Sequence, residues 1–528
     1  MNMTKASLLL TLMLAATTGS ALAQETPERG GTLNMVVQPE PPTVMLGISK
    51  LGPVSFIGSK IYEGLISLAP DMSPLPGLAE SWEISEDGLT YTFNLRKGVK
   101  WHDGEPLTSK DVVYSFSTFL PETFARTRSV MARTESITAP DEHTVVFKLK
   151  EPWAAFMMIF EVAGGTIVPA HIYEGTNIFE NPANETPIGT GPFKFKEWAK
   201  GQYIHFVRND EYWEEGKPHL DEIYFHIIPD ANSRAIAFEQ GNVDVLRGGD
   251  IENLEISRLA DMPDVEVTEA GWEFLDPLAI ININTRNAPL DNVKVRQAIS
   301  YAFDREFMID AVFGGFGKPA YGPMTDRTPF YDQSVLVDYS YDLEKAKALM
   351  EESGVERNAN GNYATLDLMP LPYGETWQRH AEYLRQQLSE IGIATNVVSV
   401  DVPGWSERAT TGKFDITTNF IYLLGDPAMG VAQTYMSDNQ LNRGTAANMD
   451  GYENPVTDEL FAKAGRSTDP AERQELYSKV QEILSADIPV IWSHQMSFPT
   501  VHRSKVRNLT TTGLGLNANF ADVWIAKQ

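Results

Sequence analysis

The sequence contains no cysteine. That excludes disulfides, thiol catalysis, thiolate metal sites and a lipid-modified N-terminal cysteine. Positive charge is scarce: 43 Lys and Arg stand against 71 Asp and Glu, for a formal charge of −28. A surface so acidic repels phosphate backbones and anionic headgroups, so no nucleic-acid partner is expected. Long hydrophobic runs are missing too. Beyond the N-terminus the longest, Ala154 to Phe160, has the length of a core element, far short of the roughly 20 residues a spanning helix needs. The chain is expected not to be membrane-embedded.

Chemical motifs are missing as well. There is no H-E-x-x-H, no G-x-x-x-x-G-K-[ST] and no G-x-S-x-G. Gly513-Leu514-Gly515 lacks the third glycine of a dinucleotide loop. The histidines are scattered; His219 and His226 are nearest, with no carboxylate pattern between them. Asn358-Ala359-Asn360-Gly361-Asn362 has no carboxylate to hold calcium and reads as a hairpin turn at Asn360-Gly361. His102-Asp103 reads as a polar turn, with a base–orienter pair as the sharper alternative. No catalytic residue, metal or cofactor is expected.

What is present is a chain of 528 residues, 42% hydrophobic and 22% charged, enough for two or more domains. Lys5, the apolar run Ala6–Ala16 and Ala21-Leu22-Ala23 form a cleavable export signal, with Gln24 as the mature start. No twin arginine precedes the run, which points to Sec-type export.

Strand and helix patterns then mix throughout. Thr32 to Val37 follows Gly30-Gly31 as a short strand, Tyr91 to Leu95 alternates after the turn Glu86-Asp87-Gly88, and Val145 to Leu149 is a further strand. Thr108 and Asp111 have capping-box spacing. The second half is richer in helices. Val295, Ala298, Ile299, Ala302 and Phe303 share a face begun by Asp291 or Asn292. Leu343, Ala346, Leu349 and Met350 share another, closed by Gly354, and Trp377, Ala381, Leu384, Leu388 and Ile391 a third, closed by Gly392. Asp469-Pro470 caps the stripe Leu476, Val480, Ile483 and Leu484, and Ile488 to Trp492 reads as a strand. The alternation predicts an α/β chain with mixed sheets. Trp272, Tyr373, Trp377, Trp405, Phe420 and Tyr422 lie near turn chemistry. Trp377 reads as core; the others are open between core and a pocket for an organic ligand.

Together these segments resemble extracellular solute-binding proteins of family 5, the dipeptide and oligopeptide receptors of ABC importers. The resemblance is carried by Tyr62-Glu63-Gly64-Leu65, Leu78-Ala79-Glu80-Ser81-Trp82, Asp87 to Arg96, Gly98-Val99-Lys100-Trp101-His102-Asp103-Gly104, Leu107-Thr108 and Asp111-Val112-Val113. It continues through Gly189-Thr190-Gly191-Pro192-Phe193, Arg208-Asn209, Tyr212-Trp213, Gly241-Asn242-Val243-Asp244-Val245, Val295 to Ile299, Phe303-Asp304-Arg305 and Ile488 to Ile491. It implies a two-lobed periplasmic-binding-protein fold, type II-like with an extra subdomain and a hinge between the lobes. It places the signal peptide at 1–23, lobe I at 24–66, 188–283 and 490–528, an inserted subdomain at 67–187 and lobe II at 284–489. It further implies a periplasmic, non-catalytic monomer that closes on ligand and meets ABC permease subunits with a cytoplasmic ATPase.

The resemblance implies ligand-binding roles for Glu40, Trp272, Tyr373, Trp405, Phe420, Tyr422, Leu423 and Asp426. One departure bears on cargo. Peptide-binding members hold the peptide ammonium on an aspartate after a Trp; here Phe420 replaces the Trp, and the aspartate position falls on Leu423 or Leu424. Neither pairs an ammonium. Peptide stays the expected cargo class, with opines, glycosides and other conjugates as alternatives, and an exported small-molecule hydrolase as the rival function.

Overall fold

The computed structural model describes residues 26–527 except 442, 443 and 446; the export signal and its cleavage site lie outside the described residues. Three sheets carry the fold. The first has seven strands in the order Val265–Thr268, Thr500–Arg503, Val245–Leu246, Thr32–Val36, Glu222–His226, Tyr203–Arg208 and Phe193–Ala199. Thr32–Val36 runs parallel to both of its neighbours while the outer pairs are antiparallel, so the sheet is mixed. Its alternation puts Leu33 and Met35 into the core.

The second sheet has six strands in the order Gly317–Pro319, Val490–Met496, Pro277–Ile283, Ile416–Tyr422, Ala364–Met369 and Ile393–Val397. Every residue of Pro277–Ile283 and Val490–Met496 is buried, so neither strand has a solvent side that would call for polar alternation. Helices form where the sequence supplies stripes and caps. Asn292, not Asp291, caps Val293–Ala302 by accepting from the Lys294 amide at 3.0 Å. Asp342 caps Leu343–Glu352 and Asp469 caps Pro470–Asp487. A four-stranded antiparallel sheet, Ala79–Ile84, Thr90–Leu95, Thr144–Leu149 and Thr134–Asp141, forms the inserted region. The Thr108 amide donates to Asp111 at 2.9 Å, closing the expected capping box before Ser109–Tyr114.

Two expectations need correction. Pro277–Ile283 and Val490–Met496 were expected in lobe I but pair with each other in the second sheet, Ile281 opposite Ile491. The lobe crossings therefore fall before Pro277 and after Met496. The inserted region packs into the first lobe: Phe93, Phe147 and Phe160 belong to the same buried cluster as Leu33 and Met35. Asn360-Gly361 is a tight turn, with Gly361 at φ +81°, but no hairpin. It joins a helix, Leu343–Glu352, to the parallel strand Ala364–Met369.

Candidate functional site

The strand Ile416–Tyr422 carries the chain to the edge of the second lobe, and the turn that follows enters the first. Leu424 and Gly425 both take left-handed conformations, φ +56° and +69°, which reverses the chain sharply. Leu424 and Met429 join the core cluster of the first lobe, and Gly425 lies against Phe274, Met72 and Met158. The lobes thus touch here.

Beside this contact a cavity of about 190 Å³ opens between the second lobe and the inserted region. Trp405 is held in its wall by burial and by its indole N–H, which donates to Thr417 Oγ1 at 2.8 Å. Phe420 stacks on Trp377, ring centroids 5.8 Å apart at 19°, and meets Tyr422 edge-on at 5.5 Å. Tyr373, 55% exposed, stands at the rim, 6.3 Å from Phe420. Asn419 and Gln433 supply side-chain amides to the lining. From the inserted region comes one side chain, Arg126 on the helix Ala125–Met131. It is the single formally charged group among the described lining residues.

The ground behind Arg126 is also positive. Lys50 donates to Thr166 Oγ1 at 3.1 Å and lies 4.0 Å above the Phe124 ring. Burial pushes its ammonium down to about 7, with Glu161 opposing the shift and Arg126 adding to it. Glu161 is buried with its oxygens facing the Ala163 and Gly164 amides, the former at 2.6 Å. On the other side, Arg247 stacks on Phe56 at 4.8 Å. Burial raises the Tyr422 phenol, and the nearby Arg247 charge partly offsets that rise.

Of the residues singled out in the sequence, the structure brings Tyr373, Trp405, Phe420 and Tyr422 together on the cavity. It places the other four elsewhere. Glu40 is exposed and accepts from Trp198 Nε1 and the Gly201 amide, both at 3.0 Å, tying its loop to the edge hairpin of the first sheet. Trp272 sits at the lobe crossings, its indole N–H donating to the Phe498 carbonyl at 3.0 Å. Leu423 is fully buried in the core of the second lobe, while Leu424 reaches the cavity instead. Asp426 accepts from Arg473 Nη2 at 2.8 and 3.0 Å and from the Ala428 amide at 2.9 Å. Its oxygens are thus committed to the turn rather than offered to a ligand. Sequence reasoning missed Arg126, Asn419 and Gln433. Arg126 lies between the segments that carry the resemblance, and only the tertiary fold sets it opposite the aromatic wall. His102, for its part, is half-buried in its turn and bonds the Gly191 carbonyl at 2.9 Å; desolvation lowers its pKa to about 4.

No described helix is long and apolar enough to cross a membrane. Residues 73–442 match the family model described as bacterial extracellular solute-binding proteins, family 5 Middle. The chain is 31% identical to Di/tripeptide-binding protein 1 of Pseudomonas aeruginosa over 487 residues, covering 86% of each. It is 30% identical to Heme-binding protein A of Haemophilus influenzae over 465 residues, covering 83% of this chain and 82% of that one. Among solved structures it is similar to AgaA of A. tumefaciens R10 in complex with agropinic acid, with a TM-score of 0.78, 27% identity and coverage of 94% and 99%.

Proposed function

The chain belongs to the bacterial extracellular solute-binding proteins of family 5, and from that premise we propose that it is the periplasmic receptor of an ABC importer. It captures a peptide or peptide-like small molecule by lobe closure and delivers it to permease subunits coupled to a cytoplasmic ATPase. It reaches the periplasm through the signal ending at Ala23, unlipidated. The observation that carries this reading is the aromatic cavity where the second lobe faces the inserted region. Aromatic walls bind an organic body through area and stacking, at little entropic cost.

At about 190 Å³ the cavity is smaller than the roughly 300–1,000 Å³ of drug-sized pockets, which favours a compact cargo over an extended oligopeptide. Among the described residues the lining holds no pair of carboxylates, the equipment a glycoside hydrolase requires, which favours binding without turnover. The test is mass spectrometry of protein purified from the periplasm. An intact small molecule released on denaturation, from a chain whose N-terminus is Gln24, is the expected result. Turnover of an added amide or glycoside would replace this reading with the hydrolase.

A further inference from the structure

We propose that the ligand is an organic anion, and that its carboxylate docks on Arg126 while its apolar or amide body lies against Tyr373, Phe420 and Tyr422. The inference rests on the receptor reading and adds the chemistry of the cargo.

Three observations carry it. Arg126 lines the cavity with no hydrogen bond or ion pair to any described residue, whereas Arg234, Arg296, Arg305, Arg473 and Arg503 are each held by several acceptors. A guanidinium presents its donors in a fixed fork that matches a carboxylate. Second, no carboxylate lines the cavity among the described residues, so a ligand ammonium would enter a cation-facing wall unpaired. Third, the charges behind the wall do not cancel Arg126. Glu161 is the carboxylate bearing on it, but it is shared with Lys50 and its oxygens face the Ala163 and Gly164 amides instead of the guanidinium. A positive cleft in a chain of formal charge −28 is a local arrangement against the field of the whole molecule. It selects anions that the remaining surface repels.

The experiment is a tryptophan-fluorescence titration of the mature protein with two probe sets. The first is N-acetyl-Phe-Ala, its C-terminal amide, and Phe-Ala amide, which carries a cation and no anion. The second is phenylacetate against phenylacetamide. The expected result is that acids bind and their amides bind about tenfold or more weakly, as loss of a charge-assisted hydrogen bond implies. Arg126→Ala should erase that preference, Arg126→Lys should keep part of it, and both should melt like wild type, since no described partner is left unpaired. Equal binding of acid and amide, or an unchanged preference in Arg126→Ala, overturns the inference while leaving the receptor reading intact. Preferential binding of phenylacetate with no binding of any peptide probe upholds the anion and overturns the peptide-like cargo. Failure of both sets overturns both.

Discussion

Asp426 shows how one residue can suit a ligand role in the sequence and serve another end in the fold. Its side chain and that of Arg473 are each 9% exposed, and the pair spans the turn after Ile416–Tyr422 and the helix Pro470–Asp487. Burial alone would lower the Arg473 pKa, but the charge and hydrogen bonds of Asp426 together with Tyr477 outweigh it and the guanidinium is held up. Asp426→Asn leaves Arg473 buried without its counter-ion, which costs roughly 3 kcal/mol or more. Urea unfolding should register that loss, while affinity for N-acetyl-Phe-Ala stays within about twofold of wild type, well under the ~1.4 kcal/mol of a tenfold change. A variant of full stability and lost affinity would return Asp426 to the binding site. Asp450 is a second buried carboxylate with a different consequence. One oxygen accepts from Asn282 at 2.8 Å; the other is buried with no close hydrogen-bond partner among the described residues. Burial raises its pKa to about 7. The folded state therefore keeps a proton that the unfolded chain gives up near pH 4. The stability that proton confers is complete below pH 4 and is lost as pH rises to about 7, at about 1.4 kcal/mol for each unit of displacement. Thermal melts between pH 4 and 8 should show the decline, to which the buried carboxyls of Glu63, Asp250 and Asp276 add, and Asp450→Asn should lessen it.

Elements with local signatures were legible in the sequence. Thr108 and Asp111, Asn292 and Asp469 mark helix starts because capping is a matter of three or four residues. The stripe of Trp377, Ala381, Leu384 and Leu388 is buried as its period requires. Sheet membership was not legible in the same way. Pro277–Ile283 and Val490–Met496 are buried throughout, and such a strand reads alike in either lobe; their partners are more than a hundred residues away in the sequence. Half of the candidate site failed for a related reason. Alternation does not tell which of Leu423 and Leu424 faces the cavity, because the left-handed pair Leu424-Gly425 breaks the period there. That turn depends on close backbone approach at its far end: a Cβ on Gly430 would run into the Leu423 carbonyl. Gly430→Ala should thus push apart the two ends of the turn behind Tyr422. The expected outcome is a loss of about 1–3 kcal/mol in stability together with weaker binding of N-acetyl-Phe-Ala. Stability unchanged from wild type would mean the turn has slack that the packing does not suggest.

At the scale of the whole molecule, cavity and motion are one problem, because its walls come from parts of the chain joined through the crossings near Trp272 and Phe498. Away from the cavity the lobes also meet at the helix Asn253–Ala260. Asn253 Nδ2 donates to the Phe313 carbonyl at 2.9 Å, and Glu252 lies 3.4 Å from Arg379 on the facing helix Glu375–Glu390. The Glu252–Arg379 side chains are 52% and 40% exposed, so the pair contributes only about 0.2–1 kcal/mol and is screened by salt. That is too little to hold the lobes shut and enough to bias them, by up to about fivefold in population. Ligand binding outweighs it: at a hundredfold excess over Kd it stabilises the form that binds by about 2.7 kcal/mol. Closure should therefore be set by cargo and only trimmed by the latch. Small-angle scattering of Glu252→Gln without ligand should give a larger radius of gyration than wild type at low salt, and the difference should fade at high salt. Saturating N-acetyl-Phe-Ala should bring both proteins to the same compact value. Tight binding without compaction in either would mean that the lobes do not move on one another, and that ligand enters a cavity already closed.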